Sequence, residues 1–555
     1  MLYYKNTKMF AVPELIEKIL AARGISAADA EEFFNPSVRD LAGPEELPGA
    51  VEAAEALLAA ARGKRKVVVF GDYDCDGVCA TAILVKTLSA IGADVSPFLP
   101  ERLSEGYGMS DASVERMLSE NPGVGLVVTV DNGINSVEQV AALRARGVEV
   151  VVTDHHLPGD TLPDCLVVDP KVSHPERLEN LCGAGVAFMI ARHVLRLAFG
   201  DHPEQSPGIS PFLVLAGLAT VTDVMPLLGQ NRILVSEALS RFDTRAPLGL
   251  RELFLKSAPR GVVRHTAKDF GFLLGPRINA AGRLASGVEA LELVLSDDRE
   301  AAREAARIVD NRNAERKGIE QKMLDEALSK VIEGASAQVI DLPGGHQGVA
   351  GIVAARVMER MDPKVPVCVV VDGHGSARAP DGINVRDALA ASSAHLGRFG
   401  GHAAAAGFAV NEGALDSFRE AFVAACEAQR GGSAAQERER VDAEVSAVDL
   451  TTELVEWISR LEPFGEGNPE PVFAMRGAAI RDVRPLGADG RHLSLVADGL
   501  RAVWWGRGDL VEELRRDSAR LRDVYFTAGL SDYGGTHVEL RIVDLKQTLQ
   551  KGTAQ

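Results

Sequence analysis

The chain has 555 residues, of which 46% are hydrophobic and 25% are charged. This length exceeds what one hydrophobic core usually holds and predicts roughly three or four domains with the composition of a soluble globular protein. The formal net charge of −18 disfavours a protein that coats duplex nucleic acid with a basic surface. A narrow basic channel within an acidic protein stays compatible with that charge, because binding is local.

Membrane and secretion signals are not evident in the sequence. No stretch of about 18 uncharged apolar residues is present, and the first residues lack the apolar segment and cleavage site of a secretory signal. We therefore expect a cytoplasmic protein that does not bind membranes. The six cysteines are scattered without paired spacing, which indicates neither a disulfide framework nor a cysteine-rich zinc site.

From about residue 65, short β-rich runs alternate with segments of helical character. This alternation predicts βαβ units and a parallel sheet, in which ligands lie at the carboxyl ends of the strands. The runs that carry the prediction are KVVVF at 66–70, GLVVTVD at 125–131, VEVVVTDHH at 148–156 and CLVVDPK at 165–171.

Charged and polar segments divide the rest of the chain. A long, charged, proline-free stretch predicts a helical connector, and strands rich in turn signals after a polar linker predict a small OB-like β-barrel. A cut in that linker is expected to leave the burial of the catalytic core unchanged. The predicted α/β organisation is an N-terminal segment (1–45), a parallel-sheet catalytic domain (46–295), the connector (296–334), a second, smaller α/β domain (335–430), the linker (431–440) and the barrel (441–555).

Acidic and histidine side chains follow several of the predicted strands. Carboxylates crowded within a few ångströms resist joint ionisation unless they share protons or bind a cation. Oxygen and imidazole ligands without cysteine suit Mn²⁺ or Mg²⁺, and two such ions can activate water for attack at phosphorus. One aspartate after a strand is most often a turn or helix-cap residue, but four such places in one predicted sheet favour a metal centre. They are Asp72, Asp74 and Asp76; Asp131; Asp154, His155 and His156; and Asp223.

These motifs resemble a known family. DYDCDG at 72–77, VDNG at 130–133 and TDHH at 153–156, together with Asp223, resemble the DHH phosphoesterase superfamily. Further motifs are similar to its DHHA1 substrate-binding domain and to its single-strand-specific 5′→3′ exonucleases, and the resemblance runs from about residue 40 onward. These motifs are GHGSARAP at 373–380, GGHAAAAGF at 400–408, GPRINAAGR at 275–283 and PFGEGNPEPVF at 463–473.

The resemblance implies roles for the strand-end residues. Asp131 bridges two metal ions, and Asp74 binds the first ion, with Asp72 as a further ligand. The second ion is held by Asp76, His155 and Asp223. His156 donates to a non-bridging oxygen of the scissile phosphate, and Asp154 orients its neighbours. Some relatives have a histidine where this chain has Phe70, so the ligand set of the first ion stays open.

The second α/β domain carries a candidate phosphate clamp. Ser376 and Arg378 are expected to lie in a glycine-rich loop whose amides can approach an anion, and an arginine fork matches phosphate oxygens. A solvated turn is the alternative interpretation. His402 is a further candidate donor, whereas Ala379 stands where the family often has serine. Arg102, Arg277, Asn279 and Arg283 are expected to line the path between the domains.

The sequence thus predicts an exonuclease that cuts one DNA strand stepwise from its 5′ end in repair and recombination. The barrel is expected to hold the incoming strand, with Trp504 and Trp505 as candidate contacts or core residues. Predicted partners are single-stranded DNA, single-strand DNA-binding protein and helicases, and the expected state is a monomer. The alternatives are a phosphodiesterase for oligoribonucleotides or cyclic dinucleotides and a non-catalytic single-strand-binding scaffold.

Overall fold

The computed structural model describes most of the chain, with short gaps. The predicted linker at 431–440 lies outside the described residues except for its last position. The described residues are 2–5, 8–102, 104–106, 108–200, 208–258, 264–430, 440–517, 520–531 and 536–548.

The chain begins with a small hairpin and two helices. These elements are β1 (Leu2–Lys5), β2 (Lys8–Ala11), α1 (Glu14–Ala22) and α2 (Ala30–Phe34), followed by single 3₁₀ turns at Val38–Asp40 and Pro44–Glu46. The apolar residues of α1 and α2 do not pack on the sheet that follows them in sequence, as described below.

A five-stranded parallel sheet forms the centre of the first large domain. Its strand order is β4–β3–β5–β6–β7. Helices cover both faces, which explains why Val67–Phe70 are all buried rather than alternating. The strands are β3 (Lys66–Phe70), β4 (Val95–Phe98), β5 (Val124–Thr129), β6 (Glu149–Thr153) and β7 (Leu166–Val168).

The helices of this domain pack on two main hydrophobic clusters, a large one on one face of the sheet and a smaller one, which includes α5 and α6, on the other. A π-helical turn at Asp269–Leu274 runs directly into one of them. The helices are α3 (Ala50–Arg62), α4 (Cys75–Ala90), α5 (Asp111–Glu120), α6 (Val137–Ala145), α7 (Pro170–Ser173), α8 (Gly183–Phe199), α9 (Ser210–Thr222), α10 (Gly229–Arg245), α11 (Leu248–Ser257), α12 (Gly275–Leu284) and α13 (Val288–Leu295).

The predicted connector is a single helix of 31 residues, α14 (Arg299–Ser329). Asp298 caps it by accepting hydrogen bonds from the amides of Glu300 and Ala301. Ala302, Ala306 and other residues on one side are buried, so α14 packs on the flanking domains rather than bridging them through solvent.

The second α/β domain has a five-stranded sheet in the order β11–β12–β10–β9–β8. Only β8 and β9 are parallel; the other pairs are antiparallel. Its elements are β8 (Gln338–Asp341), α15 (Gln347–Glu359), β9 (Val367–Val371), β10 (His374–Arg378), α16 (Val385–Ala391), a 3₁₀ turn (Ser393–His395), β11 (Leu396–Gly401), β12 (Ala405–Val410) and α17 (Leu415–Arg430).

The C-terminal domain is a closed five-stranded barrel. The sheet runs β14–β15–β16–β18–β17 and closes because β14 also pairs with β17. Its elements are β13 (Ala443–Glu444), α18 (Thr452–Ser459), β14 (Phe473–Leu486), β15 (His492–Ala497), β16 (Leu500–Trp504), a 3₁₀ turn (Gly508–Leu510), α19 (Val511–Arg516), β17 (Leu521–Ser531) and β18 (His537–Gln547). The predicted architecture of two α/β domains and an OB-like barrel is confirmed.

The N-terminal helices complete the core of this C-terminal domain. Buried Arg232 links α2 to the C-terminal domain, because its guanidinium donates to the carbonyls of Phe33 (2.8 Å) and Leu461 (3.0 Å). A cut at the linker therefore exposes the apolar side chains of α1 and α2 in a fragment that keeps residues 1–36, while the core of the catalytic domain is a separate cluster. The shared cluster includes Ile16, Ile19, Leu20, Phe33, Phe34, Leu454, Val455, Trp457, Phe473 and Phe526.

Within the described part of the chain, no helix combines the length and apolar character that crossing a membrane requires.

Candidate metal centre

The aspartates that follow β3 are held by the first turn of α4. Asp74 caps this helix, and its Oδ1 accepts hydrogen bonds from the amides of Asp76 (3.0 Å) and Gly77 (3.1 Å). Asp72 and Asp76 are buried. A Cβ on Gly77 would lie 2.6 Å from the Cβ of Asp72, so glycine is required for the tight approach of strand and helix.

Asp76 receives two further hydrogen bonds from the start of α8. The amides of Gly183 and Ala184 donate to its two carboxylate oxygens, each at 2.7 Å. The N-terminus of a helix favours a negative charge, so α8 partly offsets the burial of this carboxylate. Sequence reasoning missed both residues; the glycine-rich start of a helix at 183–185 is the signal that points to them.

Asp131 follows β5 and has a left-handed backbone with φ of 61°. Its amide donates to the carbonyl of Thr153, which ties it to the neighbouring strand end. A Cβ on Gly183 would lie 2.6 Å from the Cβ of Asp131, so the start of α8 packs directly on this residue. A non-glycine residue in this conformation is strained, and such strain is concentrated at functional sites.

The Asp-His-His triplet follows β6. Asp154 Oδ1 lies 2.7 Å from Nδ1 of His156 and also accepts from the amide of His155, while its Oδ2 accepts from the amide of Ile134 at 3.0 Å. The contact with His156 lowers the pKa of Asp154 despite complete burial. Although burial alone would lower the pKa of His156, the same hydrogen bond and nearby carboxylates raise it to about 9. Asp154 thus orients the two histidines.

His155 stands at the middle of the carboxylates. Its Nε2 lies 3.0 Å from Oδ1 of Asp131 and 3.6 Å from Oδ2 of both Asp76 and Asp223. Asp223 comes from the C-terminal end of α9, where the helix dipole disfavours a negative charge. Side-chain atoms that can hold an ion lie within 4.8 Å of one another in three groups, namely Asp72–Asp74–Asp131, Asp131–His155–His156 and Asp76–His155–Asp223.

The chemistry of these residues fits divalent cations. Among the described residues, Oδ1 of Asp72, Oδ1 of Asp131 and Nε2 of His155 are buried without a hydrogen-bond partner, since the 3.0 Å contact between the last two is not aligned as a hydrogen bond. Such unpaired polar atoms are costly unless a ligand satisfies them.

The pKa values of these residues also indicate a site for a divalent cation. Burial, followed by repulsion from neighbouring carboxylates, raises the pKa of Asp76 to about 6 and that of Asp223 to about 8, and it also raises the pKa of Asp72 and Asp131. Burial lowers the pKa of His155 to about 3, which keeps the ring neutral and able to ligate a metal. A cation would relieve the repulsion among the carboxylates.

A group of arginines lies beside the acidic cluster. The Arg102 guanidinium lies 5.3 Å from the ring centre of Tyr73, and Arg283 donates to the carbonyl of Gly348 at 3.3 Å. Burial, followed by the charge of Arg102, lowers the pKa of Arg378 and brings that of Arg283 to about 10. These three residues, called the arginine cluster below, come from both α/β domains.

The predicted loop for the candidate phosphate clamp is wrong, because Ser376 and Arg378 lie on β10 between two paired strands. Helix α15 packs against both residues. A Cβ on Gly351 would lie 2.7 Å from Nη2 of Arg378 and 3.4 Å from the hydroxyl of Ser376. His402 is exposed in the adjacent turn, where its amide donates to the carbonyl of Ala405. The structure thus brings Ser376 and Arg378 together with the first turns of α15.

Two of the predicted path residues make internal contacts instead. Arg277 pairs with Asp310 at 2.9 Å and donates to the carbonyl of Leu273 at 2.8 Å. Asn279 Oδ1 accepts a hydrogen bond from the amide of Cys75 at 2.7 Å, which fixes the start of α4. Their role in lining a DNA path stays a prediction.

The two adjacent tryptophans of the barrel differ in environment. Trp504 is buried in the core, whereas Trp505 is 58% exposed and contacts the ring of His492. Only Trp505 is placed to contact a bound strand.

Comparison with known proteins places the chain in a family. Residues 66–218 match the DHH family, N-terminal domain, residues 334–428 match the DHHA1 domain, and residues 441–544 match the RecJ OB domain. The single-stranded-DNA-specific exonuclease RecJ of Salmonella typhimurium is 35% identical over 88% of this chain and 87% of its own length. The chain belongs to the RecJ family.

Other RecJ proteins agree with this assignment. RecJ of Thermus thermophilus is 40% identical over 84% of this chain, and RecJ of Bacillus subtilis is 31% identical over 91%. The chain spans 66% and 64% of the lengths of these two relatives, respectively. A crystal structure of the Thermus RecJ with Mn²⁺ superimposes with a TM-score of 0.83 at 34% identity, covering 97% of this chain and 76% of that one.

The resemblance to DHH phosphoesterases is therefore confirmed. Each matched segment overlaps one of the predicted domains, whose boundaries stay predictions.

Proposed function

We propose that this RecJ-family chain is a metal-dependent, single-stranded-DNA-specific 5′→3′ exodeoxyribonuclease. The observation that carries the proposal is a buried aspartate and histidine cluster, with unpaired ligand atoms, lying next to arginines of two domains. The first feature suits divalent cations, and the second suits the phosphates of a nucleic-acid strand.

The metal ligands are assigned from these contacts and the family motifs. Asp131 is the bridging ligand, Asp74 and Asp72 hold one ion, and the other ion is held by Asp76, His155 and Asp223. This assignment is supported by the presence of Asp131 in two of the three ligand groups. Crystal structures of a RecJ relative are described with Mn²⁺ and with Mg²⁺. Two bound ions supply an activated water and stabilise charge at phosphorus.

The neighbouring side chains orient the substrate. The hydrogen bond between Asp154 and Nδ1 of His156 fixes the ring, and Nε2 is the nitrogen that donates to a non-bridging phosphate oxygen. Burial lowers the pKa of His156, but the hydrogen bond with Asp154 raises it and so favours the protonated ring. Asn279 acts indirectly, because it holds the helix start that carries Asp74 and Asp76.

The direction of cutting is assigned to the arginine cluster together with Ser376. A 5′→3′ exonuclease has to recognise the end of a strand, and a pocket for the terminal phosphate does so. Arg378 and Ser376 come from β10, whereas Arg102 and Arg283 come from the domain that holds the metal ligands. A terminal 5′-phosphate bound there leaves the next phosphate at the metal centre.

The cellular role follows from this activity. We infer that the protein acts in DNA repair and recombination in the cytoplasm, as a monomer, with single-strand DNA-binding protein and helicases as partners. The barrel holds the incoming strand on its surface, and Trp505 is the exposed aromatic residue suited to base stacking.

The two alternative functions are less well supported. A phosphodiesterase for short oligoribonucleotides or cyclic dinucleotides has little need of a RecJ-type OB domain, which matches at residues 441–544. A non-catalytic scaffold has no need of the complete set of acidic and histidine ligands that the structure brings together.

One assay tests the proposal. Single strands and duplexes carrying either a 5′ or a 3′ label are incubated with Mn²⁺ or Mg²⁺, and the first labelled product is identified. We expect mononucleotide release from the 5′ end of single strands only. Release of the 3′ label first, or equal cleavage of duplexes, would contradict the assignment. Hydrolysis confined to dinucleotides would favour the phosphodiesterase alternative.

A further inference from the structure

An aromatic side chain lies exposed close to the metal centre. Phe272 is 75% exposed on the π-helical turn Asp269–Leu274. This turn packs on the end of α9, because a Cβ on Gly271 would lie 3.5 Å from Val221 and a Cβ on Gly275 would lie 2.3 Å from Thr222. The residue after α9 is Asp223, a proposed metal ligand, so the turn that carries Phe272 packs next to the metal centre.

Residues next to this turn and after α9 contact the C-terminal domain. Lys268 pairs with Glu470 at 2.7 Å, and the amide of Leu227 donates to the carbonyl of Glu466 at 2.8 Å. The turn that carries Phe272 therefore packs on the end of α9 and directly follows a residue that pairs with the C-terminal domain. A strand that runs from the metal centre to that domain can pass over this turn.

Two local features indicate that this surface is maintained for a function. π-Helical turns are rare and occur frequently at functional sites; here Arg277 supports the turn by donating to the carbonyl of Leu273. Val224, directly after Asp223, has a left-handed backbone with φ of 56° and is 66% exposed. A β-branched residue in this conformation is strained, yet its side chain faces solvent rather than the core.

We propose that Phe272 is the stacking platform for a nucleobase on the 3′ side of the scissile bond, with Val224 as an apolar flank. The inference rests on the proposed nuclease function. The arginine cluster holds the 5′ end and the metal centre holds the scissile phosphate, so the remaining strand leaves past Asp223 toward the barrel. Every base has an aromatic face, so one exposed ring at this point grips the strand without selecting its sequence.

The first test measures binding without hydrolysis. 5′-Phosphorylated single strands whose first linkages resist hydrolysis are titrated in Mn²⁺, each with one abasic nucleotide placed at successive positions from the 5′ end. Wild-type protein is expected to lose affinity at one position that matches the ring. Phe272→Ala is expected to weaken binding of the intact strand roughly 5- to 100-fold, the usual effect of losing one stacked base, and to remove the abasic penalty at that position.

Phe199→Ala is the matched control. Phe199 is another exposed aromatic residue, 66% exposed, and ends the helix whose first residue contacts Asp131. It therefore lies roughly 24 Å along α8 from the metal centre. Phe199→Ala and Phe272→Tyr should both bind like wild type. Because both rings are exposed, none of the variants should change the thermal unfolding midpoint.

The outcomes separate this inference from the function on which it rests. If Phe272→Ala binds intact strands as tightly as wild type, or keeps the same abasic penalty, Phe272 is not a stacking platform. If wild-type protein neither binds nor degrades single strands, the proposed function itself fails, and this is seen before any variant is made. A selective loss in Phe272→Ala with wild-type behaviour of Phe272→Tyr supports the inference.

Discussion

The metal centre and the C-terminal barrel are assembled in opposite ways. The proposed metal ligands lie between residues 72 and 223, and most follow consecutive strands of one parallel sheet, whose carboxyl ends meet at one edge. The core of the barrel domain instead includes α1 and α2, which lie near the N-terminus, about 400 residues or more before the barrel in sequence. Local order in the sequence specifies the first region, whereas long-range packing specifies the second.

The largest expected effect concerns the metal centre. Asp131→Ala should reduce hydrolysis of single strands to background at saturating Mn²⁺, because Asp131 is shared between two ligand groups. The fold should persist, and the metal-free variant should be at least as stable as wild type, since a buried and repelled carboxylate is removed. Turnover and thermal unfolding in EDTA measure the two effects.

A matched variant keeps this test specific. Asp160→Ala removes an exposed carboxylate that follows the same strand as the Asp-His-His triplet, and it should hydrolyse DNA like wild type. Turnover of Asp131→Ala within about tenfold of wild type would remove this residue from the centre of the mechanism.

The next effect tests the barrel side of the comparison. A fragment of residues 1–435 keeps α1 and α2 without their packing partners and exposes Ile16, Ile19 and Phe33. We expect this fragment to aggregate or unfold at lower temperature than a fragment of residues 37–430. Thermal unfolding and size-exclusion chromatography compare the two.

The shorter fragment also tests what the barrel does. Residues 37–430 retain the metal ligands and the arginine cluster, so activity on short oligonucleotides should persist while affinity for long single strands falls. Equal binding of a long strand by this fragment and the full chain would rule out a strand-holding barrel. Equal stability of the 1–435 and 37–430 fragments would show that the shared core is dispensable.

The sequence predicts the metal ligands better than it predicts contacts between distant parts of the chain. Asp72, Asp131 and His155 were predictable because an apolar strand that ends in a charged residue places that residue at the sheet edge. The contacts of Gly183 with Asp76 and Asp131 were not, because they depend on how α8 packs across the sheet. The partners of Arg232 were not predictable either, because Phe33 lies 199 residues before it and Leu461 lies 229 residues after it in the sequence.

Both α/β domains contribute to the arginine cluster, so it depends on local sequence order and on long-range packing. Arg378→Ala should cost roughly 1.5–3 kcal/mol more on 5′-phosphorylated than on 5′-hydroxyl DNA, the usual strength of a hydrogen bond to a charged group. The ratio of kcat/KM for the two substrates measures this preference. Arg386→Ala, an exposed arginine on α16, is the control. Equal slowing of both substrates would place Arg378 at the scissile phosphate instead.

The smallest expected effect is a pH dependence to which the metal centre contributes. Burial and neighbouring carboxylates raise the pKa of Asp223 to about 8, so the folded metal-free protein holds a proton there that the unfolded chain has lost. The pKa of His156 is raised to about 9, so this group also makes the free energy of unfolding fall as pH rises above 6.5. The lowered pKa of His155, about 3, has the opposite effect only below about pH 6.5, where the unfolded imidazole is protonated.

Between pH 6.5 and 8, the free energy of unfolding of the metal-free protein should therefore fall as pH rises, by at most about 1.4 kcal/mol per pH unit for each group. Asp223→Asn should flatten this slope, because the amide does not ionise, whereas the fragment of residues 37–430 should keep it. Mn²⁺ should raise the unfolding temperature more at pH 8 than at pH 6.5, since it competes with protons for the same carboxylates. Urea unfolding in EDTA at the two pH values measures the slope. An unchanged slope in Asp223→Asn would assign the pH dependence to other groups with raised pKa values, such as His156. A slope lost with the barrel would show that the two regions are energetically coupled.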